Sequence, residues 1–236
     1  MQKVMHKFAR GDKIFMRLPF SKPIDKLLGG GLEGGCITTF YGPPGSGKTQ
    51  IALCASSTAA KFGRVCFIDT EGGFSPERVA ELSGSEDVLE RILLFDVNSW
   101  EEQKKVIRKL ENVPCSLIVV DSFVTFWRLE INEKNIFETN QELARQLAIL
   151  NKIARAKKIP VLLTSQVYED LETKRIEVSS RNIIKWWSKY LVELLHAGRA
   201  NFRIAVLRKA KSQPEGRKIE FEISKNGLKE ATFRLF

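Results

Sequence analysis

No stretch of about twenty consecutive apolar residues occurs in this chain of 236 residues, so no segment is expected to cross a membrane as a helix. The first residues, 1–17, are basic but contain no apolar core and no small-residue cleavage site, which excludes a secretory signal as the reading of this segment. Cysteine is scarce. Cys36, Cys54, Cys66 and Cys115 are scattered, without a C-x-x-C pair or metal-ligand spacing. That argues against a disulfide framework or a zinc site and for small buried hydrophobes in a reducing, cytoplasmic setting. Internal repeats and low-complexity linkers are also missing, so one domain is expected, with residues 1–20 as an N-terminal extension and 21–236 as the core. Acid is the deficient charge: 28 acidic residues face 38 basic ones, a net +10. A basic balance is compatible with nucleic acid or another polyanion as partner. The excess concentrates in 172–218, which carries Lys174, Arg175, Arg181, Lys185, Lys189, Arg199, Arg203, Arg208, Lys209, Lys211, Arg217 and Lys218.

What is present is sharper. Residues 42–49 read Gly42-Pro43-Pro44-Gly45-Ser46-Gly47-Lys48-Thr49, a complete G-x-x-x-x-G-K-[ST] phosphate loop. The apolar, β-branched run 36–41 before it reads as a buried strand, and 49–55 after it reads as a helix start. In that setting the glycines let backbone N–H groups face a phosphate chain, and the helix N-terminus adds partial positive charge. Lys48 is expected to reach the β- and γ-phosphates, Thr49 to hold Mg²⁺ with its hydroxyl, and Gln50 to complete the nucleotide-binding set.

Strand and helix patterns alternate from there on. Residues 64–69, 91–96, 117–121 and 160–165 read as strands. Helices are expected from Ser75, with Pro76 at its first position, from Ser99, with Glu102 completing a capping box, and over about 135–157, with Leu143, Leu147, Leu150 and Ile153 on one face. Alternation of this kind builds a parallel sheet. The last third differs: 190–195 and 202–207 flank a turn at Ala197-Gly198-Arg199, and 218–224 alternates apolar and charged residues, which predicts antiparallel strands added to one edge. The fold class is therefore α/β, a mostly parallel twisted sheet flanked by helices with antiparallel C-terminal strands. Residues 1–23 show no clear periodicity; a short helix pattern follows over Ile24–Leu28 and is stopped by Gly29-Gly30-Gly31.

An ATPase needs a second metal anchor and a group that positions water. Asp121, closing the apolar run 117–120, is the natural metal-binding acid at the C-terminal end of a parallel strand. Glu71 follows another strand; on its residues alone it reads equally as a water-positioning carboxylate or a solvated turn residue. Gln166 ends the strand 161–165, where an amide can hydrogen-bond a γ-phosphate or serve simply as a loop residue.

Taken together, these segments resemble the RecA-like recombinases of the archaeal RadA and RadB group. Residues 24–33 are similar to the segment preceding that family's phosphate loop. Phe67-Ile68-Asp69-Thr70-Glu71-Gly72-Gly73-Phe74 with Pro76-Glu77-Arg78 resembles its catalytic-glutamate motif, 117–122 its Walker B strand, and Leu163-Thr164-Ser165-Gln166-Val167 its strand-end glutamine motif. The resemblance covers about residues 20–224. It implies a RecA-like ATPase core that uses ATP and Mg²⁺, with Lys48, Glu71 and Gln166 in catalytic roles and Thr49 and Asp121 at the metal.

Departures narrow it. The family's strand-exchange members carry an N-terminal helical domain and an F-x-x-A linker; the nearest match here is Phe8-Ala9. Their first DNA loop has a Gly-Arg-Gly core where this chain reads Glu133-Lys134-Asn135, an arginine of theirs is replaced by Asn140 before Gln141, and a Gly-Gly of their second loop is replaced by Ser179-Ser180. Filament building and strand exchange are therefore not expected. The short RadB subgroup fits better, also in Trp186-Trp187-Ser188 and Val206-Leu207-Arg208-Lys209. That subgroup implies ATP binding, weak ATPase activity, binding of single-stranded or branched DNA, and accessory contacts with a RadA recombinase and a Holliday-junction resolvase. The alternatives that stay open are a RadA-like strand-exchange protein and a non-catalytic, ATP-dependent adaptor.

Two basic features remain. Lys174, Arg175, Arg181, Lys185 and Lys189 interleave with Trp186, Trp187 and Tyr190. Cations with aromatics suit single-stranded DNA, whereas one of two adjacent tryptophans is expected in the core, since neighbours point apart. Lys209 and Lys211 resemble the paired lysines that bacterial RecA sends across a protomer interface to the γ-phosphate; a solvated strand end is the equal alternative. A weak homo-oligomer belongs with the first of these.

Overall fold

The continuously apolar runs become the middle of one large sheet. In the computed structural model, which describes residues 7–10, 13–169, 176–178 and 182–231, β4 (Ile37–Gly42), β5 (Val65–Asp69) and β7 (Leu117–Asp121) are buried at every position. They pair in parallel with one another through β8 (Val161–Glu169), and β6 (Ile92–Asp96) continues the parallel set beyond β5. On the other side β10 (Tyr190–His196) runs parallel to β4, and β11 (Phe202–Lys209), β12 (Lys218–Ser224) and β13 (Gly227–Glu230) follow as an antiparallel meander. The order across the sheet is β13-β12-β11-β10-β4-β8-β7-β5-β6, with β9 (Ile176–Val178) pairing β8 off this path. The antiparallel edge read from the alternating C-terminal third is thus observed.

Helices cover both faces, because the central strands are apolar on both. α1 (Lys22–Leu28), α2 (Lys48–Ala59) and α3 (Pro76–Ser83) close one core, in which Phe40, Phe67, Val119 and Phe221 are fully buried. α4 (Trp100–Lys109) and α6 (Ile136–Lys157) close the other. Leu143, Leu147, Leu150 and Ile153 face it together with Ile68, Ile118 and Val120. α5 (Thr125–Glu130) follows β7, and α7 (Asn182–Trp187) packs on α6. Ser75 caps α3, accepting from Arg78 N at 3.1 Å, and Ser99 caps α4, accepting from Glu102 N at 3.2 Å. Glu102 returns its bond to Asn98 N at 2.8 Å, one residue earlier than a capping box requires.

Within the segment without periodicity, described residues form strands. β1 (Lys7–Arg10) and β2 (Lys13–Leu18) form an antiparallel pair, and β2 pairs with β3 (Leu32–Glu33). Backbone-to-backbone pairing needs no side-chain alternation, which is why so short a hairpin left no signal. Cys36, Cys54 and Cys66 are buried and Cys115 half-buried, all as free thiols. Among the described residues no helix is long and apolar enough to cross a membrane.

Parallel register brings five loop-bearing strands to one edge. Gly42 stands opposite Gln166, and Asp69 opposite both Asp121 and Asp96. The antiparallel turn between β10 and β11 opens at the same edge, with His196 opposite Arg203.

Candidate nucleotide site

The phosphate loop leaves β4 at Gly42 and re-enters helix at Lys48. Its path depends on two glycines. A Cβ at Gly42 would lie 2.3 Å from the Leu194 carbonyl oxygen of β10, so only glycine lets the two strands pass there. Gly47 adopts φ 95° as the N-terminal cap of α2, a conformation that costs any other residue strain. No side chain caps α2, so the first N–H groups of the helix face the loop's hollow, the arrangement that binds phosphate.

The loop's polar groups fit an anion. Lys48 Nζ is folded back onto the loop, donating to the carbonyls of Gly42 at 2.8 Å and Pro43 at 2.9 Å. Burial lowers the Lys48 pKa, and the charges of Glu71 and Asp121 work against that. A lysine so held has an incentive to exchange neutral carbonyls for a phosphate. Ser46 is fully buried, and its hydroxyl has no hydrogen-bond partner among the described residues. A buried unpaired hydroxyl is costly unless something else completes it.

Asp121 closes β7 and is buried, with an Asp121–Ser122 peptide in the cis form. Burial raises its pKa; hydrogen bonds from Thr164 and Thr49 oppose this, and the Glu71 and Asp69 charges add to the rise. Thr164 reaches its Oδ1 from β8. Thr49 Oγ1 and Asp121 Oδ2 both lie close to the point where a Cβ on Gly73 would stand, at 3.6 and 3.8 Å. A hydroxyl and a carboxylate are hard oxygen donors of the kind Mg²⁺ takes alongside phosphate and water, so Thr49 and Asp121 fit that ion. Among the described residues no cluster of three or more His, Cys, Asp or Glu exists that would hold a metal by protein ligands alone.

The loop after β5 is held by Asp69, whose carboxylate accepts from the N–H groups of Glu71, Gly73 and Phe74 at 3.1, 3.2 and 2.8 Å. This fixes Glu71, an exposed residue, over the strand ends. Glu71 Oε1 accepts from Gln166 Nε2 at 2.8 Å and from Thr125 Oγ1 at 2.8 Å. Gln166 Oε1 in turn accepts from Arg128 Nη1 at 2.8 Å. Two sequence candidates, Glu71 and Gln166, are therefore in direct contact, and α5 supplies two residues that sequence reasoning missed, Thr125 and Arg128.

Other contacts of the loop were missed as well, although Gln50 was itself a candidate and Arg78 part of the glutamate motif. Arg203 Nε donates to the Gly45 carbonyl at 2.9 Å, and His196 Nε2 lies 3.2 Å from the Pro44 carbonyl. Gln50 accepts from Arg78 Nε at 3.1 Å, and Arg78 also donates to the carbonyls of Ser224 and Lys225, at 2.6 Å each. None of these lies within a recognisable spacing; the sheet order alone brings β10–β13 beside β4.

The basic candidates fall elsewhere. Lys174, Arg175 and Arg181 lie outside the described residues, as do Ser179 and Ser180. Lys185 and Lys189 are exposed, and Trp186 is 79% exposed while Trp187 is half-buried against the core. One of the adjacent tryptophans is thus core and the other not. Lys209 and Lys211 do not approach the phosphate loop of their own chain. Lys209 stands opposite Leu191 near the start of β10 and donates to the Lys185 carbonyl at 2.6 Å, and Lys211 pairs with Glu33 at 2.6 Å. Asn140, on α6, accepts from Trp127 Nε1 at 3.1 Å and so ties α5 to α6.

Comparison with known proteins shows the family and the fold. The model of the Rad51 family matches residues 12–231. The protein described as "DNA repair and recombination protein RadB" from Methanosphaera stadtmanae is 35% identical over 221 residues, covering 89% of this chain and 94% of that protein. Its namesake from Thermococcus kodakarensis is 35% identical over 218 residues, covering 89% and 97%. Among solved structures, one titled "Crystal structure of the RadB recombinase" superposes with a TM-score of 0.79 at 33% identity, covering 90% of this chain and 98% of that one.

Proposed function

The chain belongs to the Rad51 family, in its RadB group, with a RecA-like fold, and from that premise we propose that it is an ATP-binding, DNA-binding accessory of homologous recombination and repair. It hydrolyses ATP weakly and performs no strand exchange. ATP is the nucleotide of residues 42–50, and Thr49 and Asp121 are the residues that would hold Mg²⁺, which would supply charge neutralisation to the phosphates. Lys48 leaves the Gly42 and Pro43 carbonyls for the phosphates, and Glu71 positions water. Gln166 reads whether a γ-phosphate is present and passes the result to the segment after β8. The observation that carries this reading is the direct Gln166–Glu71 hydrogen bond at the strand ends beside the phosphate loop.

Slow turnover follows from where the two lysines lie. Lys209 and Lys211 are held within their own chain at the far end of the sheet. We read them as cations for the nucleotide of another copy, so that an isolated chain would lack them at its own site. DNA is taken as single-stranded or branched, through Lys185 and Lys189 and through Lys174, Arg175 and Arg181. A RadA recombinase and a Holliday-junction resolvase are the proposed protein partners.

The test is a DNA-binding titration with and without ATP at several salt concentrations, repeated with Glu71→Gln. Wild type should bind DNA in a salt-dependent way that ATP modulates. Glu71→Gln should keep nucleotide binding and lose hydrolysis. Filament formation with strand exchange would replace this reading by that of a recombinase. Full function without hydrolysis would replace it by that of an adaptor.

A further inference from the structure

Two glutamines are sealed into the core between α4 and α6. Gln103 sits on α4 at helical spacing from the buried Trp100 and Ile107, and Gln146 on α6 at helical spacing from the buried Leu143 and Leu150. Both amides are fully buried. Gln103 Nε2 donates to the Phe123 carbonyl at 3.1 Å and to Gln146 Oε1 at 2.9 Å. A carbonyl can only accept, so Gln103 must present its NH₂ to Phe123, and Gln146 must meet that NH₂ with its oxygen. The polarity of both amides is thereby fixed, and it strands two atoms. Gln103 Oε1, an acceptor, and Gln146 Nε2, a donor, have no partner among the described residues. Ser122, one residue before Phe123, is also fully buried with its hydroxyl unpartnered among them. Polar groups in so apolar a setting are costly unless something completes them.

We propose that α4 and α6 form an internal water site, in which one water donates to Gln103 Oε1 and accepts from Gln146 Nε2, and that this bridged amide pair positions Asp121 through the turn after β7. Water is the complement of what the pair lacks, one donor and one acceptor, and a closed site offering two or more polar partners is where proteins hold it. The bridge closes a ring of amide, amide and water. Without it each amide is held from one side, about a terminal torsion that is intrinsically broad. With it the Gln103 NH₂ stays aimed at Phe123. That aim matters because the turn carries the acid. Thr70 N donates to the Asp121 carbonyl at 2.9 Å, Thr70 Oγ1 accepts from Ser122 N at 2.9 Å and donates to the Ser122 carbonyl at 2.8 Å, and Phe123 N donates to the Thr164 carbonyl at 2.9 Å. Gln103 adds a tie from the helix layer to the Phe123 carbonyl. Gln103 and Gln146 act through that turn and are positioning residues. Their role rests on the reading of Asp121 as the metal-binding acid, given above.

The experiment has two arms. A crystal structure of the wild type, at a resolution that shows ordered water, should place one within hydrogen-bond distance of both Gln103 Oε1 and Gln146 Nε2. The structure of the double variant Gln103→Met/Gln146→Met should lack it. Methionine keeps the length of the side chain without its polar atoms, and removing both partners of a buried pair together is the tolerated change, so this variant is expected to fold. In the second arm ATP affinity is titrated against Mg²⁺ by calorimetry. The double variant should need about tenfold more Mg²⁺ for the same ATP affinity, the lower end of what an outer-shell partner of a metal site commands, while its affinity without Mg²⁺ stays that of wild type. Gln146→Met alone keeps the Gln103–Phe123 bond, loses the bridge, and should fall between the two. A well-ordered wild-type structure with no water between the amides overturns the site. An unchanged Mg²⁺ requirement in the folded double variant overturns the positioning role. If Asp121→Asn leaves the Mg²⁺ dependence as it is in wild type, the reading of Asp121 fails and the positioning role with it, and the crystallographic arm still decides the water site.

Discussion

Beside the start of β10 a cluster of buried charges is paired within itself, although the neighbouring Thr38 hydroxyl is not; at the end of β4 the buried Ser46 hydroxyl has no partner among the described residues and the cations rest on neutral groups. The first cluster centres on Arg17, which donates to the Leu28 and Gly31 carbonyls at 2.9 and 3.2 Å and to Glu33, Tyr190 and Ser212 at 2.8, 3.0 and 3.1 Å. Glu33 also accepts from Tyr190 at 2.5 Å and from Lys211 at 2.6 Å. Burial works against the Glu33 carboxylate, but the bonds from Lys211 and Tyr190 and the Arg17 charge outweigh it and hold its pKa below the ordinary value. At the other end Ser46 is unpaired, Lys48 rests on carbonyls, and Arg128 rests on an amide. Tyr190 stands opposite Thr38, so the two clusters are separated by four residues of β4, about 13 Å at the rise of a parallel strand. A saturated network locks a hairpin and the β11–β12 loop to the sheet. An unsaturated one leaves bonding capacity for a ligand.

That contrast can be broken experimentally, and the largest effect is expected at the saturated end. Glu33→Ala leaves the Arg17 guanidinium buried without its carboxylate and should destabilise the protein by about 3–5 kcal/mol, read by denaturant unfolding. Lys48→Ala should do the reverse. The ligand-free stability should barely move, while nucleotide affinity measured by calorimetry falls about a hundredfold, the order expected for losing a charge-assisted phosphate contact. Removing a single hydroxyl sharpens the point. Tyr190→Phe should cost about 1–3 kcal/mol because it strips partners from buried charges, whereas Ser46→Ala should change ligand-free stability by less than about 1 kcal/mol because its hydroxyl has nothing to lose. Equal costs for the two would dissolve the distinction.

The smallest effect is in pH. A carboxylate whose folded pKa lies below its unfolded one binds fewer protons in the native state, so its contribution is complete above the unfolded pKa and is lost as pH falls through and below it. Wild-type stability should therefore decline on the acid side of the ordinary carboxylate range. Glu33→Gln should show a shallower decline over the same interval. An unchanged slope would mean that the Arg17 cluster does not supply that term.

Much of the architecture was legible in the chain. The short apolar runs at 117–121 and 161–165 read as buried strands and are strands, and the cap at Ser75 placed the start of α3. The phosphate loop and Asp121 were singled out by local spacing after a strand, whereas Glu71 and Gln166 were ambiguous on their residues alone and were singled out by the family resemblance. Thr125 and Arg128 were not. Their importance lies in what they touch across the sheet, Glu71 54 positions away and Gln166 38 positions away. The same holds for Arg203 on Gly45, which is 158 positions distant. The two lysines Lys209 and Lys211 were legible as a pair, but their distance from their own phosphate loop was not.

The sequence by itself determined that a strand–loop–helix would cradle phosphate and that acid and amide side chains would end the neighbouring strands, since periodicity and local spacing act over a few residues. Only the tertiary structure decided which side chains meet. The parallel register sets Gly42 against Gln166 and Asp69 against Asp121, and the order of strands brings β10 and β11 beside the loop. Those contacts join residues far apart in the chain, and no local pattern records them, because they depend on the packing of the whole sheet.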